Sequence, residues 1–234
     1  MNMLQRSLKF AAAILLVTLS GCLTIEENYT FKKDGSGTME YVVDMTEMGE
    51  MMKTIGEMGA EEGSATPDEL GTLDMKEELA ALKKIPGIKR VKLDEKKKWI
   101  QRVNFKFKDI TALNAALNIL MPDSTGQPYE FFRWEGNTLV RTNNRHAYEV
   151  GAGMAKEDAK TERAEEEEGM DMGAFLEAMK YKYSFKFAND VSSTQQVEAM
   201  KKETPDSRLL KLETDWSVIS KDPQALDLRI VLDR

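Results

Sequence analysis

The chain has 234 residues, with 33 lysines and arginines against 40 aspartates and glutamates and a formal net charge of −7. That acidic balance is repelled by phosphate backbones and speaks against nucleic-acid binding. A single cysteine and a single histidine leave no disulfide framework and little basis for a histidine-rich metal site or a Ser-His-Asp triad.

Arg6 and Lys9 precede an almost wholly apolar run from Phe10 to Leu19, with no acidic residue before it. The run is too short to span a bilayer and has the form of a secretory signal. Leu19-Ser20-Gly21-Cys22 then looks like a bacterial lipobox. In such signals the cysteine sulfur accepts a diacylglyceryl group, the chain is cut just before it, and the new amine takes a further acyl chain such as palmitate. Two or three acyl chains are enough for stable anchoring. The expectation is a cleaved signal peptide over 1–21, lipidation at Cys22, and one ectodomain over 22–234. Loss of Arg6 and Lys9 takes the net charge to about −9 on roughly 210 residues, enough for one core. Leu23, rather than an aspartate, follows the cysteine and matches an outer-membrane address. The expected location is the cell envelope, lipid-anchored and facing the periplasm.

The elements follow in chain order. Tyr29 and Phe31 alternate with polar residues, Asp34-Gly35-Ser36-Gly37 supplies a turn, and Met39, Tyr41 and Val43 resume the alternation. The Gly-Ser-Gly is read as a turn because no Lys-Ser/Thr helix follows it. Met45, Met48, Met51, Met52, Ile55 and Met58 recur at helical spacing opposite Glu47, Glu50, Lys53 and Glu57. Thr66-Pro67-Asp68-Glu69 is a helix start, followed by Leu70, Leu73, Leu79 and Leu82 up to Pro86-Gly87. This Met-rich helical insertion spans about 45–86.

Val91 and Leu93, then Trp99, Val103, Phe105 and Phe107, form a second hairpin with a basic "DEKKK" tip, read as a solvated turn. Asp109 caps a helix bearing Leu113, Leu117 and Leu120, stopped at Pro122. "YEFFRWEGNTLVRTN" is a third hairpin, and His146 beyond it reads as an ordinary surface histidine. From about 151 to 169 an acidic run reads as a solvated helix or a linker. Tyr181, Tyr183, Phe185 and Phe187 mark a strand, as do Leu210, Leu212 and Trp216, and Leu226 to Leu232 mark the last. About eight strands with three or four helices give an α+β fold: a mostly antiparallel sheet of hairpins with one face covered by a few helices.

The lipobox, "YTFKKDGSGTMEYVVDM", the Met-rich helix and "YSFKFANDV…ISKDPQALDLRIVL" together resemble Bacteroidota-type lipoproteins. They also resemble lipoproteins with an ectodomain of the mycobacterial LppM type. The resemblance implies a membrane-tethered α+β domain of unknown activity and supplies no catalytic residues.

Three function classes follow. The first is a non-enzymatic module that binds a protein or lipid partner in the envelope, with no cofactor, held to the membrane through Cys22. The second is Cu(I) handling by thioethers, with Met170 and Met172 added to the helical methionines. The third is a carboxylate-based hydrolase, for which no acid pair stands out. No catalytic or metal-ligating residue is assigned. The favoured reading of the methionines is core packing.

Overall fold

The computed structural model describes residues 23–57, 74–142, 144–161 and 172–233. Residues 1–21 and Cys22 lie outside them, as do the helix start at Thr66 and the acidic stretch from 162 to 169.

The first hairpin joins β1 (Thr24–Phe31) to β2 (Gly37–Asp44). Gly35 turns the chain at φ +79°, and Asp34 Oδ1 accepts the Ser36 N–H at 3.0 Å. Next comes α1 (Thr46–Glu57), with the Thr46 N–H held by Asp44 Oδ1 at 3.0 Å. Met45 is buried just before it, and Met48 packs on the core. A Cβ at Gly49 would lie 2.3 Å from the Trp99 ring, so only glycine lets α1 rest on that indole.

The helix α2 (Lys76–Leu82) leads to a second hairpin, β3 (Ile88–Lys97) and β4 (Ile100–Phe107). Then α3 (Ile110–Leu120) starts where Asp109 accepts the Ala112 N–H at 2.9 Å, and it buries Leu113, Leu117 and Leu120. Its polar side binds backbone: Asn114 pairs with both backbone groups of Phe132, and Asn118 with both of Tyr129, at 2.7–2.8 Å. Two asparagines thus stand in for a strand and hold the third hairpin, β5 (Phe132–Glu135) and β6 (Thr138–Arg141), on the helix.

The chain continues through α4 (Arg145–Thr161), α5 (Met172–Ala178), β7 (Lys180–Phe187), β8 (Val191–Gln195), β9 (Lys201–Asp206), β10 (Leu209–Asp215), α6 (Trp216–Ile219) and β11 (Leu228–Leu232). The expected acidic run is therefore helical as far as Thr161.

The α+β class stands, and its strands fall into two sheets. One has the order β3-β4-β2-β1-β7-β10-β9 and the other β5-β6-β11-β8. Only the central β1–β7 pair of the larger sheet is parallel. That pairing sets Tyr29 against Phe185 and Phe31 against Phe187, with stacked rings 5.2 and 5.6 Å apart. The inner face of the large sheet is covered by helices and also by the small sheet: Phe132 meets Tyr29 edge-on at 5.0 Å. The extra strands escape sequence reading because β8 and β9 lack an apolar alternation, and β9 is exposed along its whole length.

One charged pair crosses between the sheets. Glu27 on β1 and Arg141 on β6 are fully buried, with Arg141 Nη2 2.7 and 3.0 Å from the two carboxylate oxygens. The Tyr29 and Tyr181 hydroxyls also donate to Glu27. Arg141 Nη1 donates to Asn144, whose Nδ2 donates to Asp227 at 2.8 Å. The guanidinium stacks on Tyr183 at 5.0 Å and on Phe132 at 5.4 Å. Burial, with the Glu27 charge adding to it, raises the Tyr29 and Tyr181 phenols well above their ordinary value, so both stay protonated as donors.

Breaking this pair from one side strands a buried charge. Arg141→Met should cost about 3–5 kcal/mol of unfolding free energy. The double variant Glu27→Leu with Arg141→Met should recover most of that loss in urea denaturation. Equal losses in the single and double variants would contradict the pair as described.

Candidate functional site

The two faces of the large sheet have opposite chemistry, because strand side chains alternate. The inner face carries Ile25, Tyr29, Phe31, Met39, Val103, Phe105, Tyr181 and Phe185. The outer face is polar, and its charges are not evenly spread.

Register places two rows across its far half. Lys89 pairs with Lys106, Lys106 with Thr38, Thr38 with Thr30, and Thr30 with Lys186. The neighbouring row runs Lys92, Asn104, Glu40, Asn28, Ser184. Across these five strands the cations Lys89, Arg90, Lys92, Lys106 and Lys186 face one carboxylate, Glu40, which lies 3.5 Å from Asn28 Nδ2. All five cations are exposed, and none is ion-paired among the described residues. Nearer the start of β1 the same face balances: Arg102, Lys180 and Lys182 alternate with Glu26, Asp44 and Asp94. There Lys182 reaches Glu213 at 3.9 Å.

A local irregularity concentrates the charge. The register slips between Lys89 and Lys92, so Arg90 and Val91 together oppose a single residue of β4. This is a β-bulge, a device that re-aims side chains. Arg90 has φ +58°, a conformation sparsely used outside glycine. The extra residue lets Ile88, Val91 and Leu93 pack on the core while Arg90 and Lys92 line the outer face.

Those residues rim a hollow of about 510 Å³ whose floor is polar and hydrogen-bonding: Asn28, Thr30, Thr38, Asn104 and Ser184, with the Glu40 carboxylate at its middle, held by Asn28. Asn28 and Ser184 also line an adjoining hollow of about 660 Å³ toward β10. That second hollow is charge-balanced, with Glu26, Glu203 and Glu213 beside Lys182, Lys201 and Lys211, so the cationic trough is the first hollow, from β3 to β7. Unpaired cations over amides and hydroxyls suit an anionic, hydroxyl-bearing ligand.

A second cleft, about 520 Å³, lies beside the buried network and includes Asn144, Arg145, Glu149 and Asp227. Its charges are already used: Arg145 and Ser124 both donate to Glu149, at 2.6 and 2.8 Å, and Asn144 donates to Asp227. Burial raises the Asp227 carboxyl above the ordinary carboxylate range. The cleft offers a ligand little that is not already spoken for.

Residues singled out by sequence fall elsewhere. Met45 is core, Met48 packs on the core and Met51 is half-buried; the side chains of Met52, Met58, Met170 and Met172 lie outside the described residues. The "DEKKK" tip closes the β3–β4 hairpin, away from the trough. Among the described residues no group of three His, Cys, Asp or Glu side chains is placed to hold a metal. His146 is not the surface residue expected. It is half-buried, edge-on to Phe131 at 5.9 Å, and its Nδ1 has no hydrogen-bond partner among the described residues. The reason is its position in the first turn of α4, facing Tyr181 and Phe131.

No known family model matches the sequence, and no curated protein matches it. Among solved structures, the NMR structure of the folded domain of Mycobacterium tuberculosis LppM is similar, with a TM-score of 0.40 and 9% identity over 93% of this chain and 95% of that one.

Burial, and next the charge of Arg141, push the His146 imidazole down to about 3, while Asp123 and Glu149 oppose the shift. An unfolded histidine takes its proton near 6.5. Between those values the unfolded chain binds the extra proton, so stability falls as pH drops from about 6.5 toward 3. His146→Phe should flatten part of that decline in melting temperature between pH 7 and pH 4. An unchanged pH profile would show that the ring titrates normally in the fold.

Proposed function

We propose that this protein is a lipid-anchored component of the bacterial envelope that works by binding, not catalysis, and that the outer face of its large sheet is the binding face. The observation that carries the proposal is the trough: five unpaired cations against one carboxylate, Glu40, one of the cations aimed by a bulge with a backbone strained for a non-glycine residue, over a floor of amides and hydroxyls. Strained backbone of this kind clusters at active sites and ligand clamps.

The anchor is Cys22, acylated after removal of residues 1–21. Support comes from the lipobox and from the start of the fold. The Leu23 carbonyl already accepts the Lys180 N–H at 2.8 Å, one residue past the cysteine. That leaves a tether of about 7 Å at most, so the near end of the sheet sits close to the bilayer. No helix among the described residues is long and apolar enough to cross a membrane. The outer membrane, facing the periplasm, is the proposed location, and an envelope component is the proposed partner.

Two experiments test these points. Cells fed an alkyne fatty acid should label the wild-type chain, and Cys22→Ala should lose both the label and the membrane fraction. Retained label in that variant would remove the anchor assignment. Lys106→Glu with Lys186→Glu should weaken binding of dextran sulfate to the full chain at unchanged melting temperature. Arg90→Gly should weaken it too while keeping or raising stability, by up to about 1 kcal/mol, as backbone strain is released. A strongly destabilised Arg90→Gly variant would show that the bulge serves folding alone.

A further inference from the structure

We infer that the ligand of the outer face is an extended acidic glycan that crosses the sheet perpendicular to its strands. This rests on the binding face proposed above and adds the chemical class of the ligand.

The cations of β3 and β4 stand at one end of the trough and Lys186 on β7 at the other, with Thr30, Thr38, Asn28 and Asn104 between them and Glu40 midway, where it can accept from a sugar hydroxyl but not face a ligand's charge. Neighbouring strands lie about 4.8 Å apart, so the trough from β3 to β7 is about 19 Å long. A single phosphate or carboxylate cannot meet both ends. A chain that carries charge at intervals, with hydroxyls between, meets the cations and the floor in the same order.

Asn28, Thr30, Thr38, Asn104 and Ser184 are half-buried amides and hydroxyls. They offer donors and acceptors that a sugar ring uses and a bare polycarboxylate leaves idle.

The Thr30 row lies six residues along β1 from Thr24, about 20 Å from the end that follows Cys22. Salt screens exposed charges beyond about 8 Å. The half of the face nearest the anchor, where headgroups of the anchoring bilayer would bear, is the half in which Arg102, Lys180 and Lys182 are matched by Glu26, Asp44 and Asp94. The charge is placed for a polymer standing off the membrane, not for the membrane itself.

The test uses the full lipidated chain in uncharged detergent. The probes are oligogalacturonates of increasing length, their methyl esters, poly-glutamate, and phosphatidylglycerol vesicles. Oligogalacturonate affinity should climb with length until the chain spans the trough and then level off. The methyl esters should bind about tenfold more weakly, as should Lys106→Gln with Lys186→Gln toward the free acid. Thr38→Val and Asn104→Ala should weaken the glycan while leaving poly-glutamate unchanged, with melting temperature as the check on folding. Poly-glutamate binding as tightly as the glycan, with Thr38→Val and Asn104→Ala weakening neither, would overturn the glycan and keep the anion-binding face. Vesicle binding through the same lysines without glycan binding would assign the face to a membrane surface and overturn the inference. Absence of binding to every polyanion would overturn the binding face itself.

Discussion

The buried contact between Glu27 and Arg141 ties the two sheets of the fold together. It joins the central strand of the large sheet to the small sheet, inside an aromatic shell that excludes water. Two charges taken from water are costly unless each is fully hydrogen-bonded. Here the carboxylate takes the arginine and two phenols, and the arginine takes Glu27, Asn144 and the faces of Phe131, Phe132 and Tyr183, with its Nε left without a hydrogen-bond partner among the described residues. The geometry tolerates no slip: a shift of one residue in either strand would turn the charge away from its partner. The pair thus holds the register of the two sheets on the face that the apolar side chains already cover, and the other face is left for solvent.

That division places the trough. With the aromatic side chains committed to the inner face, alternate residues of β4, β2, β1 and β7 face outward and are polar apart from Val42 and Ile100, and the bulge re-aims those of β3. The outward set is sorted along the strands, balanced near the start of β1 and cationic beyond it. In a chain with a formal charge of −7, local positive charge of this kind is set against the overall field. It attracts an anion at one place while the rest of the surface repels it.

Much of the scaffold was legible in the residues. The turn at Gly35, the Asp109 cap, the buried stripe of α3 and the alternation of β7 all follow from local rules. The polar strands β8 and β9 did not show, because pairing rather than pattern makes them strands. Two signals were present but unreadable alone. Glu27 sits on the apolar parity between Ile25 and Tyr29, and Arg141 on that of Leu139; each looks like a simple interruption until the fold brings them together. Lys89, Lys92, Lys106 and Lys186 occupy ordinary outward positions in three separate segments. Only the strand order and the bulge at Arg90 gather them, and both are products of long-range pairing.

The central claim is that the far half of the outer face is where this protein meets its partner. The most direct measurement is lysine footprinting of the full chain by reductive methylation, with and without dextran sulfate, read by mass spectrometry. The account predicts slowed modification at Lys89, Lys92, Lys106 and Lys186, with Lys96, Lys97 and Lys221 unaffected. Protection spread evenly over all lysines, or gathered at the β3–β4 tip, would contradict it.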